Sequence, residues 1–115
     1  MSDNKTSITE IKNVIKKFVD DREWDKFHSP KNLSMSVAIE AAELMELFQW
    51  LSSDESKKMM RKGKLRDDSI DEVADVLIYA ISFCNENNID ISDAINQKMK
   101  KNEKKYPADE FRGKF

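Results

Sequence analysis

The sequence predicts an all-α, four-helix-bundle-like protein, and three observations carry that reading. Of its 115 residues 37% are charged, with 20 Lys and Arg against 22 Asp and Glu, well above the roughly 25% of an average globular chain. Only two Gly and two Pro interrupt it. Apolar residues recur at helical spacing, and no strand-like alternation is present. The length suits one domain over residues 1–115, with loose tails at 1–7 and 108–115.

The first helix opens at Ile8. Ser7 and Glu10 form a capping box, the hydroxyl and the carboxylate each satisfying a free backbone N–H. Ile8, Ile11, Val14, Ile15, Phe18 and Val19 then make one apolar stripe, which fades near Arg22. Residues 24–32 hold Trp24, Phe27, His28 and Pro30, and read as an ordered, aromatic-rich loop because Pro30 biases Ser29 away from helix. A second helix is expected over 33–51 and a short helical turn near 55–61. A third helix is expected over 67–86, ended by Asn87 and Asn88. A fourth runs over 91–105, stopped by Pro107.

The second and third helices are apolar nearly all round. Leu44, Leu51, Val37 and Phe48 lie on one side of the second, with Ile39, Trp50 and Leu47 opposite. Val76, Phe83 and Ala80 oppose Ile81 and Leu77 on the third. A helix apolar on every side is buried on every side. One chain of this length has too few helices to cover both, so a homo-oligomer is expected.

Several classes fall away. No apolar run reaches the 18 or so residues of a membrane span. The opening MSDNKTSITE lacks the basic and apolar regions of a secretory signal. Cys84 is the only cysteine, so neither a disulfide framework nor a zinc ribbon is expected, and a reducing, cytoplasmic setting fits. A net charge of −2 argues against nucleic-acid binding, where basic domains are the rule. Cys84, at an apolar helix position, reads as core.

Carboxylates interrupt the apolar helices. Glu40 and Glu43 sit in the second, Glu72 and Asp75 in the third. Each pair is spaced i, i+3 and shares one helix face. Ile39, Ala41, Ala42 and Leu44 surround the first pair, and Val73, Ala74 and Val76 the second. A buried carboxylate is costly unless protonated, paired or bound to metal. Packed face to face, the four would repel one another, and a divalent ion would relieve that. An all-oxygen set selects Mg²⁺ or Mn²⁺ over zinc. Mg²⁺ commonly joins carboxylates to substrate phosphates, which points to phosphoryl chemistry. Chance pairing on solvated faces is the plain alternative, with Glu46 a rim charge or a further ligand.

With these residues in view, the chain resembles the MazG-type all-α nucleoside triphosphate pyrophosphohydrolases, nearest their dCTP pyrophosphatase branch. The pattern E-x-x-E, a gap, then E-x-x-D reads here as Glu40 to Glu43 and Glu72 to Asp75. The flanks WDKFHSPKNL (24–33), ELMELFQW (43–50) and DVLIY (75–79) add to it, as does the Lys105-Tyr106-Pro107 ending. The resemblance covers residues from about 8 to 107.

It implies Mg²⁺-dependent cleavage of a nucleoside triphosphate to monophosphate and pyrophosphate. Glu40, Glu43, Glu72 and Asp75 would hold the metal. Trp24, Trp50 and Tyr79 match aromatic positions of the nucleoside pocket. Lys98, Asn102, Lys105 and Tyr106 match the family's triphosphate-binding ending. On a helix Lys98, Asn102 and Lys105 share one face. His28 joins the substrate-binding set by position, although its chemistry reads as a structural hydrogen-bonder. The family also implies a helical oligomer, commonly a tetramer, with pockets between subunits.

Two departures stand out. Lys105 replaces a frequent Arg, and a lysine cannot grip phosphate bidentately. Ile15 stands where a polar, base-contacting residue is expected. The leading substrate is dCTP or a modified dCTP, with dUTP or a broad dNTP range as the alternative. A reading from another class is a non-catalytic helical oligomerisation module. The apolar helices favour it, and the buried-looking acids oppose it.

Overall fold

The computed structural model describes residues 1–114, and among these the regular elements are all helical. They are α1 (Ile8–Asp21), a 3-10 turn (Asp25–Phe27), α2 (Pro30–Glu46), α3 (Ser53–Met59), α4 (Lys64–Glu86), α5 (Ile91–Lys105) and α6 (Ala108–Phe111).

Local chemistry sets most boundaries. Ser7 Oγ accepts from the Glu10 N–H at 3.1 Å, and Glu10 Oε2 accepts from the Ser7 N–H at 2.6 Å, the expected box at the head of α1. Ser52 and Glu55 repeat it at α3. α2 opens three residues before the expected Leu33, because Ser29 is the N-cap and Pro30 is the first helical residue. A proline there forfeits only an N–H that has no helical partner anyway. α2 also stops at Glu46, and residues 47–50 form turns rather than more helix. α4 opens at Lys64, three residues ahead of the expected Asp67. Its cap is Gly63 at φ 103°, a left-handed backbone that glycine adopts without steric cost. α5 has the expected bounds, and Asp90 caps it by accepting from the Asp93 N–H at 2.8 Å. The segment expected as a loose tail carries the one-turn α6, whose Phe111 ring meets Tyr106 edge-on at 5.3 Å.

α4 is the central strut. It packs along α2 most extensively and along α1 next. Two long-range bonds pin α1: Lys12 Nζ donates to the Ile89 carbonyl at 2.9 Å, and Asn85 Nδ2 donates to the Lys12 carbonyl at 3.0 Å. α5 meets the other elements only sparsely.

The core inside the chain is small. Ile15, Val19 and Leu33 are its buried apolar residues, joined by Ser69 and Ser82. Ile70, Val73 and Leu77 on α4 and Met35 and Ile39 on α2 are exposed. Cys84, read as core, is only half-buried. The radius of gyration is 17.0 Å, against roughly 13 Å for a compact chain of this length. The accessible surface is 9359 Å², against roughly 6,500 Å² for a folded monomer of this mass.

Candidate active site

α2 and α4 bring Glu40, Glu43 and Glu72 together. One carboxylate oxygen from each lies within 4.8 Å of the others. Glu40 and Glu72 are half-buried and Glu43 is exposed. The helices create this by spacing: an i, i+3 pair on α2 faces the opposite helix, and α4 returns Glu72 to it. Glu40 Oε2 and Glu72 Oε2 are buried and have no hydrogen-bond partner.

Electrostatics sharpen the picture. The Glu40 carboxyl is raised above its ordinary value, first by burial, then by a shared hydrogen bond and repulsion with Glu43, then by Asp75 and Glu72. Glu72 is raised likewise, by burial first, then by Glu43, Asp75 and Asp71. Every charged group that shifts these two is itself a carboxylate. Buried carboxylates whose charged neighbours are all acids are relieved by protonation or by a shared positive ion. Buried, donor-free oxygens suit a hard divalent cation, so the residues fit such an ion.

Asp75 lies outside the tight trio and is exposed. It raises Glu40 and Glu72 through charge. Tyr79 is half-buried on α4. It follows Glu72 by seven residues, two turns along the same face. Trp24, between α1 and the 3-10 turn, sets its ring edge-on to Phe18 at 5.8 Å. His28 is half-buried, and its Nδ1 is also without a partner. Trp50 is 88% exposed in the turns after α2. Lys98, Asn102 and Lys105 lie on α5, and Tyr106 is its C-cap. Because α5 meets the other helices only sparsely, these residues and the carboxylates form two separate groups within one chain. Lys105 Nζ instead lies 5.3 Å from the centre of the Tyr106 ring.

One feature is not legible in the helical pattern. Val14, Ile15 and Phe18 of α1 and Ile78 of α4 line an open groove of about 190 Å³. In the sequence most of these look like one packing stripe. Helical period reports which residues share a face, and it does not report whether a neighbour fills that face.

The fold and the site together define a class: an all-α protein that gathers carboxylates between two packed helices. The chain belongs to the MazG-like family, whose profile matches residues 35–114. It is similar to dCTP pyrophosphatase 1 of Mus musculus, 34% identical over 107 residues, and of Homo sapiens, 32% over 102. These alignments take in 93% and 89% of this chain, but only 63% and 60% of the relatives. The chain therefore spans about three-fifths of their length. The crystal structure of a pyrophosphatase from Archaeoglobus fulgidus superposes with a TM-score of 0.82 at 40% identity, covering 93% of this chain and 98% of that one.

Proposed function

We propose that this chain is a Mg²⁺-dependent nucleoside triphosphate pyrophosphohydrolase. It cleaves a deoxynucleoside triphosphate, with dCTP or a modified dCTP the leading candidate, to the monophosphate and pyrophosphate. That reaction would serve nucleotide-pool sanitation in the cytoplasm. The observation that carries the reading is the trio Glu40, Glu43 and Glu72 within 4.8 Å, with buried, partnerless oxygens on two of them. The names of the relatives at over 30% identity point the same way.

Glu40, Glu43 and Glu72 hold the cation, with Asp75 adding charge at the edge. Mg²⁺, or Mn²⁺ in its place, supplies charge neutralisation on the phosphate oxygens. Glu43, the exposed member of the trio, or Glu40 would orient the attacking water. Lys98 and Lys105 offset the charge of departing pyrophosphate, Asn102 and Tyr106 position the triphosphate, and Trp24, Trp50 and Tyr79 flank the nucleoside. His28 borders that region as a positioning group.

The separation of α5 from the carboxylates favours a site completed by a second subunit. The excess surface of about 2,900 Å² is large against the roughly 800 Å² per partner of a standard interface. It suits more than one neighbour, and so a homotetramer over a dimer. Residues 1–115 act as one catalytic domain.

The test is to incubate the protein with Mg²⁺ and a dNTP panel and to resolve the products by chromatography. Equimolar monophosphate and pyrophosphate are expected, abolished by EDTA. Glu43→Gln is expected to lower turnover at least about 100-fold, the scale of losing an electrostatic group that acts in the transition state. Full activity in that variant would refute the site.

A further inference from the structure

We infer that the basic strip over residues 57–66, at the turn joining α3 to α4, draws the anionic triphosphate toward the carboxylates and so sets KM rather than the chemical step. This rests on the proposed triphosphate chemistry and adds the device that brings the substrate to that site.

The strip departs from the rest of the chain. Lys57, Lys58, Arg61, Lys62, Lys64 and Arg66 fall within ten residues that hold no acid, which leaves 14 cations against 22 acids elsewhere. The net charge of −2 therefore averages two regions of opposite sign. All six cations are exposed. Among the described residues only Lys64 of the six is in an ion pair, with Asp68 at 2.6 Å. Arg66 donates to the Met60 carbonyl at 3.2 Å, which ties the turn to α4. Lys57, Lys58, Arg61 and Lys62 present their charge to solvent.

Position supplies the link to the site. α2 ends at Glu46, three residues after Glu43, and α4 begins at Lys64, eight residues before Glu72. The carboxylates thus lie toward the end of the α2–α4 pair that the strip closes. Along the axis of α4, Arg66 is about 9 Å and Lys64 about 12 Å from Glu72. That is too far to neutralise the acids, whose influential neighbours are all carboxylates. It is within reach of a long-range field, which extends about 8 Å at physiological ionic strength and about 30 Å at 0.01 M. The field has a task there. A triphosphate approaching Glu40, Glu43, Glu72 and Asp75 meets like charge, because a divalent ion offsets only part of the cluster. Glu46, Asp67 and Asp71 add to the repulsion from the same two helices.

The chemistry of the strip favours a small multivalent anion over larger partners. It holds no aromatic residue, so it lacks the stacking platform of a single-strand binder. Met60 and Leu65 are half-buried and only Met59 of its apolar residues is exposed, so it has no apolar face to enter a bilayer.

The experiment compares the full chain with a variant carrying Lys57→Gln, Lys58→Gln, Arg61→Gln and Lys62→Gln. Circular dichroism and sedimentation check its fold and oligomer mass. The kcat/KM for dCTP with Mg²⁺ is measured from about 10 mM to about 150 mM ionic strength. At the low end the variant is expected to lose at least about tenfold, the lower end of what a focused field adds to association, with the loss in KM and kcat within about twofold. The gap narrows as salt screens the strip. Lys57→Arg, Lys58→Arg, Arg61→Lys and Lys62→Arg together retain the original kcat/KM, since a field reads charge and not shape. Equal kcat/KM in the Gln variant at low salt, a loss carried by kcat, or a lowered oligomer mass overturns the inference. Tighter strip-dependent binding of oligothymidylate than of triphosphate assigns the strip to nucleic acid and also overturns it. Calorimetric titration with non-hydrolysable α,β-imido dCTP separates the two levels. Salt-sensitive binding that the Gln variant loses, without turnover of any dNTP, retains the strip and removes the catalytic reading. Turnover equal in both proteins removes only the strip, and absence of both turnover and binding removes both.

Discussion

Leu33→Ala and Leu77→Ala together test where the core of this protein lies. Leu33 is 1% exposed and, among the described residues, is the one fully buried large side chain, whereas Leu77 on α4 is 54% exposed in the isolated chain. Truncating Leu33 removes three carbons at about 0.8 kcal/mol each, and the cavity left behind brings the loss to about 3 kcal/mol. Unfolding entropy of about 2.1 cal/mol/K per residue gives about 0.24 kcal/mol/K for 115 residues. The melting temperature should therefore fall by about 12 °C. Leu77→Ala would be nearly silent in a monomer, within about 0.5 kcal/mol or 2 °C. If a second copy covers the Ile70, Val73 and Leu77 face, the loss rises to about 1.5–2 kcal/mol. That is about 6–8 °C, with a midpoint that depends on protein concentration. Differential scanning calorimetry at several concentrations, with sedimentation in parallel, reads both. A silent Leu77→Ala with a concentration-independent midpoint would refute the oligomer argument. A silent Leu33→Ala would refute the packing described for α2.

Three further outcomes are expected. In EDTA, the folded state holds protons on Glu40 and Glu72 at pH values where the unfolded chain has released them, because both carboxyls are raised. The metal-free protein should therefore gain stability as pH falls through the raised folded values toward the ordinary carboxylate value of 4.5 and lose it as pH rises through them; thermal melts across that range check this, and saturating Mg²⁺ should flatten the trend. Lys12→Met removes a charged hydrogen bond to the Ile89 carbonyl, at a cost of about 1.5–3 kcal/mol, measured by urea unfolding at fixed protein concentration. Ser29→Ala, which deletes the side chain accepting from the Asn32 N–H at the head of α2, should cost about 1 kcal/mol by the same assay.

How much could be read in advance follows from the range of each interaction. The start of α1 and the bounds of α5 depend on neighbouring residues, Ser7 with Glu10 and Asp90 before Ile91, so the sequence displays them. The start of α2 is hidden because Pro30 has two opposite local meanings, a loop marker and a first-turn residue. The Ser29 cap decides between them, and unlike Ser7 it has no acid three residues on to mark it in the sequence. The end of α2 is hidden for another reason. Apolar residues continue through Leu47, Phe48, Trp50 and Leu51, so the pattern runs on after the helix has stopped. The acidic trio was legible from i, i+3 spacing, which is local, plus one long-range contact between α2 and α4. Asp75 looked equivalent to Glu72 in sequence, yet it stands outside the trio. The groove was not legible, since it is defined by what fails to fill the space between α1 and α4.

The acids explain why these two helices are built as they are. An α2 carrying alanines in place of Glu40 and Glu43 would pack against α4 without the buried, donor-free Glu40 oxygen and without the repulsion that Glu43 exerts on Glu72. The chain keeps a cluster that destabilises its own metal-free state. Such a cluster is useful when its cost is removed on binding, since a cation that neutralises three acids gains affinity from the strain it relieves. The same apolar surroundings that raise Glu40 and Glu72 exclude competing water and strengthen that gain. On that reading, instability without metal and strong retention with it would be two results of one arrangement. A chain in which EDTA left the melting temperature unchanged would have carboxylates that serve neither.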